Sequence, residues 1–187
     1  TVSSRQNRAI VVFELPTLTP GFTLTDVEFE VYLGGLNKQN EVGGEATLVP
    51  LDFAFIEHGT NAAMENADFG ATAGATKTGV ADKNSSIDTW LTWSGDSNLT
   101  SAVQGAIDDN DTHVAFRMQL QLLAPYVDGS NNPTGDGGNN NDNYGFRSHD
   151  YATESLRPSL TLIPEPGTLL MLGAGLAAVF VIRRRRA

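Results

Sequence analysis

The chain has 187 residues, no cysteine and a net charge of −10, enough for one domain with a real core and a short appendage. The missing cysteines exclude disulfides, thiolate catalysis and cysteine-bound zinc or iron–sulfur clusters. Charge is divided: before Gly167 there are 8 Lys and Arg against 22 Asp and Glu (−14), and the tail carries +4. Phosphate backbones need clustered Lys and Arg, so nucleic acid is not an expected partner of the acidic body.

The chain opens at Thr1 on a polar stretch with no apolar signal segment, and is read as a fragment or processed form, so the missing signal is no evidence against export. Residues 8–15, RAIVVFEL, have the composition of a buried strand stopped by Pro16. In 23–33, Val27, Phe29, Val31 and Leu33 alternate with Asp26, Glu28, Glu30 and Tyr32, the period of a half-buried strand. Residues 46–56 read as a strand in which Pro50 argues for an edge or a bulge. A long loop rich in Ala, Thr and Gly is expected from Asn61 to Ser86. Leu99, Ala102, Val103, Ala106 and Ile107 then share one face of a helix, with Asn98 or Thr100 as its cap. The clearest strand is 112–123, where Val114, Phe116, Met118, Leu120 and Leu122 alternate with polar residues and Ala115. After a second long loop, Asp128 to Asn143, strands are expected at 144–149 and 158–163. Strands separated by Gly, Pro and Asn turns, with one short helix, give an all-β class: an antiparallel β-sandwich of jelly-roll type.

Several stretches of the body are similar to the DNRLRE and disaggregatase-related domains, with which carbohydrate-binding module family 96 belongs. They are Asn7-Arg8 leading into Ile10–Leu15, Leu24-Thr25-Asp26-Val27 before a strand ending Val31-Tyr32-Leu33, Val103–Ile107, and Phe146–Asp150 ahead of Arg157-Pro158-Ser159-Leu160. Ser148-His149-Asp150 stands where that family usually has Ser-x-Glu, and the strands that precede the Asn-Arg segment in the family are missing. The resemblance implies a jelly-roll that binds polysaccharide or builds a cell surface.

Trp90 and Trp93 lie among polar residues, with Asp88, Thr89 and Thr92 as neighbours suited to sugar hydroxyls. Strand residues three apart point to opposite faces, so at least one of the two belongs to the core. Tyr126 and Tyr144 flank the Asn-rich loop as further stacking candidates. Asp128, Asp136 and Asp142 in that loop are hard oxygen ligands of the kind Ca²⁺ takes, although Pro133 and the lack of a closing Glu break the EF-hand pattern. Loops of this composition also serve as plain solvated turns, so no cofactor is required. His58, His113 and His149 are scattered, and Ser148-His149-Asp150, being sequential neighbours, do not make a triad. No spacing singles out a carboxylate pair for glycoside hydrolysis, and a non-enzymatic role is expected.

The tail is more specific. Thr168 to Ile182 is uncharged, follows Pro164-Glu165-Pro166-Gly167, and is closed by Arg183, Arg184, Arg185 and Arg186. As a helix it spans about 22 Å at ~1.5 Å per residue, short of a ~30 Å hydrocarbon core. Four arginines cannot end a helix packed in a protein interior, whereas at a membrane their stems snorkel and supply part of the missing length. Positive charge stays in the cytoplasm, which puts the body outside. This order of parts resembles the PEP-CTERM sorting signal of exopolysaccharide-producing Gram-negative bacteria, which implies recognition of Pro164, Glu165 and Pro166 by an exosortase and processing near them.

The expectation is therefore a β-sandwich over 1–163 and an anchor over 164–187, with the motif at 164–166, the membrane helix at 168–182 and the basic tail at 183–186. The expected place is the inner membrane, single-pass, and later the cell surface or matrix. The expected partners are exosortase, membrane lipid and exopolysaccharide. The alternatives are a purely structural or adhesive matrix protein and a carbohydrate-active lyase or hydrolase.

Overall fold

The structure is a computed structural model that describes residues 8–18, 21–37, 41–42, 45–46, 50–60, 62–65, 67–82, 84–120, 143–148 and 150–165. Its strands are β1 (Arg8–Glu14), β2 (Leu24–Asn37), β3 (Glu41–Val42), β4 (Glu45–Ala46), β5 (Leu51–Glu57), β6 (Ala75–Ala81), β7 (Thr89–Trp93), β8 (His113–Leu120), β9 (Asn143–Phe146) and β10 (Ser159–Pro164). Helix α1 (Ser97–Asp108) lies between β7 and β8, and a 3₁₀ turn, Glu154–Leu156, precedes β10.

Two antiparallel sheets carry the fold. The first has the order β1-β8-β5-β6, and the second β10-β2-β7 with β9 also on β2. Phe29 and Glu30 pair with both β7 and β10, and Leu33 pairs with both β7 and β9. Strands β10 and β9 therefore lie end to end along one edge of the long strand β2. The short β3–β4 pair stands apart.

The alternation in β2 does what its period requires: Val27, Phe29, Val31 and Leu33 are wholly buried. Opposite them, β8 supplies Val114, Phe116 and Met118, and β5 supplies Phe53 and Phe55. The Phe29 ring of the second sheet stacks on Phe116 of the first, centroids 4.1 Å apart and planes at 11°. Phe13, Phe55 and Trp93 meet the Phe116 ring edge-on. Phe29 and Trp93 reach Phe116 from the second sheet, while Phe13 and Phe55 meet it within the first; each aromatic pair is worth about 0.5–1.5 kcal/mol beyond the area it buries.

β5 is buried on both faces from Leu51 to Ile56. Its outer side is closed because Arg117, itself buried, donates to the carbonyls of Asp68, Phe69 and Ala71 at 2.9–3.2 Å. His58 Nε2 lies 3.0 Å from Asp68 Oδ2, and the Glu65 N–H donates to that same oxygen. These bonds hold Glu65 and residues 67–71 down over the sheet.

Four expectations change. Pro50 does not put its strand at an edge: β5 starts at Leu51 and lies between β8 and β6, while a register shift between Leu51 and Phe53 supplies the bulge. The 61–86 loop contains β6, whose Ala75 and Ala81 reach the core. The helix cap is Asp96, whose carboxylate accepts from the Asn98 and Leu99 N–H groups, and Thr100 Oγ1 donates back to Asp96 O. Strand β2 runs on to Asn37. Among the described residues no helix is long and apolar enough to cross a membrane. The 168–182 segment expected to do so lies outside them.

Candidate functional site on the outer face of the second sheet

The residues of β2 that alternate with its core residues point away from the core, and so do their partners on the flanking strands. The register fixes the rows. Asp26 lies opposite Ile163, Glu28 opposite Thr161, Glu30 between Thr92 and Ser159, and Tyr32 beside Trp90. On the other edge of Tyr32 the chain of β9 continues into Arg147, whose N–H donates to Tyr32 O at 3.1 Å.

The upper row is aromatic and cationic. Trp90 and Tyr32 are half-buried and meet edge to face, with centroids 5.3 Å apart and planes at 78°. The Arg147 guanidinium lies over the backbone of Gly34, where a Cβ would come within 2.6 Å of its Nε. Its other side faces Tyr151, with the central carbon 4.5 Å from the ring centroid, a cation–π distance. Gly34 is also where β2 bulges: Leu33 pairs with Phe146 but Gly35 with Gly145. The Arg147 Nε is buried and has no hydrogen-bond partner among the described residues.

The row below is polar. Glu30 accepts from Thr92 Oγ1 at 3.1 Å through one oxygen and from Ser159 Oγ at 3.4 Å through the other, lacing β7 and β10 to β2. Asp26 accepts from the Gly95 N–H at 3.0 Å and so pins the end of β7. Together the rows offer aromatic surface, a guanidinium, carboxylates and hydroxyls on one side of a sheet.

Of the residues singled out in the sequence, Trp90 is part of this face. Trp93 is not: it is wholly buried on the inner face, and its indole N–H donates to Asp96 Oδ2 at 2.9 Å, so its ring has no side open to a ligand. Tyr144 also turns inward, stacking near Phe146 with centroids 6.5 Å apart and donating its hydroxyl to Ala81 O at 3.3 Å. Tyr126, Asp128, Asp136 and Asp142 lie outside the described residues, as do His149, Pro166 and Arg183 to Arg186. Ser148 Oγ bonds Asp150. Tyr32, Glu30 and Arg147 were not among the sequence candidates as site residues. The signal for Tyr32 was present, an aromatic in the outward phase of an alternating strand.

Two carboxyls are held below the ordinary aspartate range. For Asp96 the main cause is the Trp93 indole N–H, followed by the helix N–H groups of Asn98 and Leu99 and by nearby Lys77, against a desolvation penalty. For Asp68 it is the Glu65 backbone N–H and then His58. Both belong to the scaffold and not to the outer face.

Pro164 ends β10, and the exposed Glu165 follows it directly. The chain matches the PEP-CTERM protein-sorting motif over residues 162–186. No curated protein matches the chain. The motif marks an exported surface protein, anchored at a membrane and processed by an exosortase.

Proposed function

We propose that this exported protein holds extracellular polysaccharide on the outer face of its second sheet and performs no chemistry on it. The observation that carries the reading is the row Trp90–Tyr32–Arg147, set beside the Glu30–Thr92–Ser159 row. Aromatic rings cover the C–H faces of sugars, and carboxylates, hydroxyls and a guanidinium bond sugar hydroxyls. The body is read as a jelly-roll β-sandwich closed by the Phe29–Phe116 stack, in keeping with its resemblance to the DNRLRE and family 96 domains.

The tail is read as a single-pass anchor in the inner membrane with the body outside, before release to the cell surface or matrix. Tyr32 stands eight residues along β2 from Leu24, the partner of Pro164, or about 26 Å at ~3.3 Å per residue. The proposed binding row thus lies well along the sheet from Pro164.

The test is binding of the full chain, in detergent, to a panel of neutral and acidic bacterial polysaccharides, beside Trp90→Ala and Tyr32→Ala. Saturable binding lost in both variants supports the reading. No binding by a folded chain returns the protein to a structural or adhesive role in the matrix.

A further inference from the structure

The sorting motif does not begin on a linker. Pro164 is the last residue of β10 and pairs with Leu24. The Glu165 N–H donates to Thr23 O at 2.9 Å. Thr25 Oγ1 donates to the carbonyls of Ile163, at 3.1 Å, and Pro164, at 3.4 Å. The segment they hold to is itself fixed to α1, because the Leu24 N–H donates to Gln104 Oε1 at 3.0 Å and Gln104 Nε2 donates to Phe22 O at 3.1 Å.

An enzyme that reads an extended peptide takes hold of its backbone N–H and C=O groups. At Ile163, Pro164 and Glu165 several of those groups are already engaged by the strand beside them. We propose that the fold masks its own sorting motif: the end of β10 must peel from β2 before an exosortase engages Pro164 and Glu165. The register shift between Ile163 and Pro164 weakens the pairing of the strand end, and peeling runs from Glu165 back through Ile163. Strand ends fray at low free energy, so the contact slows processing without forbidding it, and couples loss of the tail to the state of the folded body. This inference rests on the reading of the tail as an exosortase substrate.

The experiment follows the full chain in membranes that contain its exosortase and reads tail loss by mass. The event is cleavage of one peptide bond, with the acyl side passing to water or another nucleophile and the tail leaving as the amine. One form carries a six-residue Gly-Ser insertion between Ile163 and Pro164, which moves the intact motif off the sheet. A second combines Asp26→Cys with Ile163→Cys, register partners in a chain that has no other cysteine. The inserted form should be processed roughly fivefold to tenfold faster than wild type, the gain expected when a few exposed hydrogen bonds no longer compete. The double-cysteine form should be processed slowly when oxidised and recover on reduction. Equal rates for the inserted form and wild type, or for the oxidised and reduced double-cysteine form, overturn the masking. Failure of every form, the inserted one included, to lose the tail refutes the sorting reading itself.

Discussion

Trp93 and Asp96 are joined by a 2.9 Å hydrogen bond from the indole N–H to Oδ2, while the other carboxylate oxygen caps α1. One short side chain thus satisfies a buried ring at the end of β7 and the first turn of the helix that follows. Asp96→Ala should remove both, costing about 2–3 kcal/mol from the cap and the orphaned indole N–H together. Urea unfolding measures it, with Asp96→Asn as the milder variant because it keeps an acceptor.

The same carboxyl sets an acid limit. Asp96 and Asp68 are both held below the usual aspartate value in the folded chain. A depressed folded value means that the stability these groups contribute is complete above the unfolded value, about 3.9, and is lost as pH falls through the folded one. The urea midpoint should therefore be flat near neutrality and drop steeply below about pH 4. Asp96→Asn should start lower and drop less.

Phe116 is the hub of the core, stacked on Phe29 at 4.1 Å and met edge-on by Phe13, Phe55 and Trp93. Phe116→Ala should cost about 3–5 kcal/mol, the range for emptying a buried aromatic site. Thermal melting should show the loss, whereas Trp90→Ala should stay within about 1 kcal/mol because it removes a half-buried surface pair.

Gly34 is the point at which a side chain would act on the outer face through Arg147. A Cβ there meets the Arg147 guanidinium at 2.6 Å, and the far end of a flexible side chain can swing away. Gly34→Ala should leave the melting temperature nearly unchanged and weaken polysaccharide binding as much as Arg147→Ala does. A loss in Arg147→Ala alone would mean that the seat over Tyr151 is not what orients the guanidinium.

The anchor is tested by charge. Replacing Arg183, Arg184, Arg185 and Arg186 with Ser removes the cluster proposed to hold the tail's end in the cytoplasm. Fractionation and protease accessibility should then show altered retention or a mixed orientation, and unchanged behaviour would count against that topology.

Strong periods were readable in the sequence. The alternation of β2 and β8 and the spacing of Leu99, Val103 and Ala106 gave those elements their faces, because the same apolar residues had to meet one core. β6 was hidden, since ATKTGVA buries only small Ala75 and Ala81 at its ends and owes its strand to pairing with the preceding strand β5. The Asp96 cap was missed because the helix starts two residues before its first apolar position, Leu99. The outer face needed the register as well as the period: Glu30, Thr92 and Ser159 become neighbours only when β7 and β10 are placed on β2. Arg147 reaches that face through a bulge at Gly34 that no local pattern announces.

The most direct test of polysaccharide binding uses the two tryptophans as reporters, one half-buried on the outer face and one with no exposure. Acrylamide quenching of the full chain would be followed while polysaccharide is added. If the outer face binds polysaccharide, the quenchable component, Trp90, becomes protected and shifts to shorter wavelength at saturation, and Trp90→Ala abolishes both the signal and the binding. Saturable binding that leaves the quenchable component untouched, or that survives in Trp90→Ala, would contradict it.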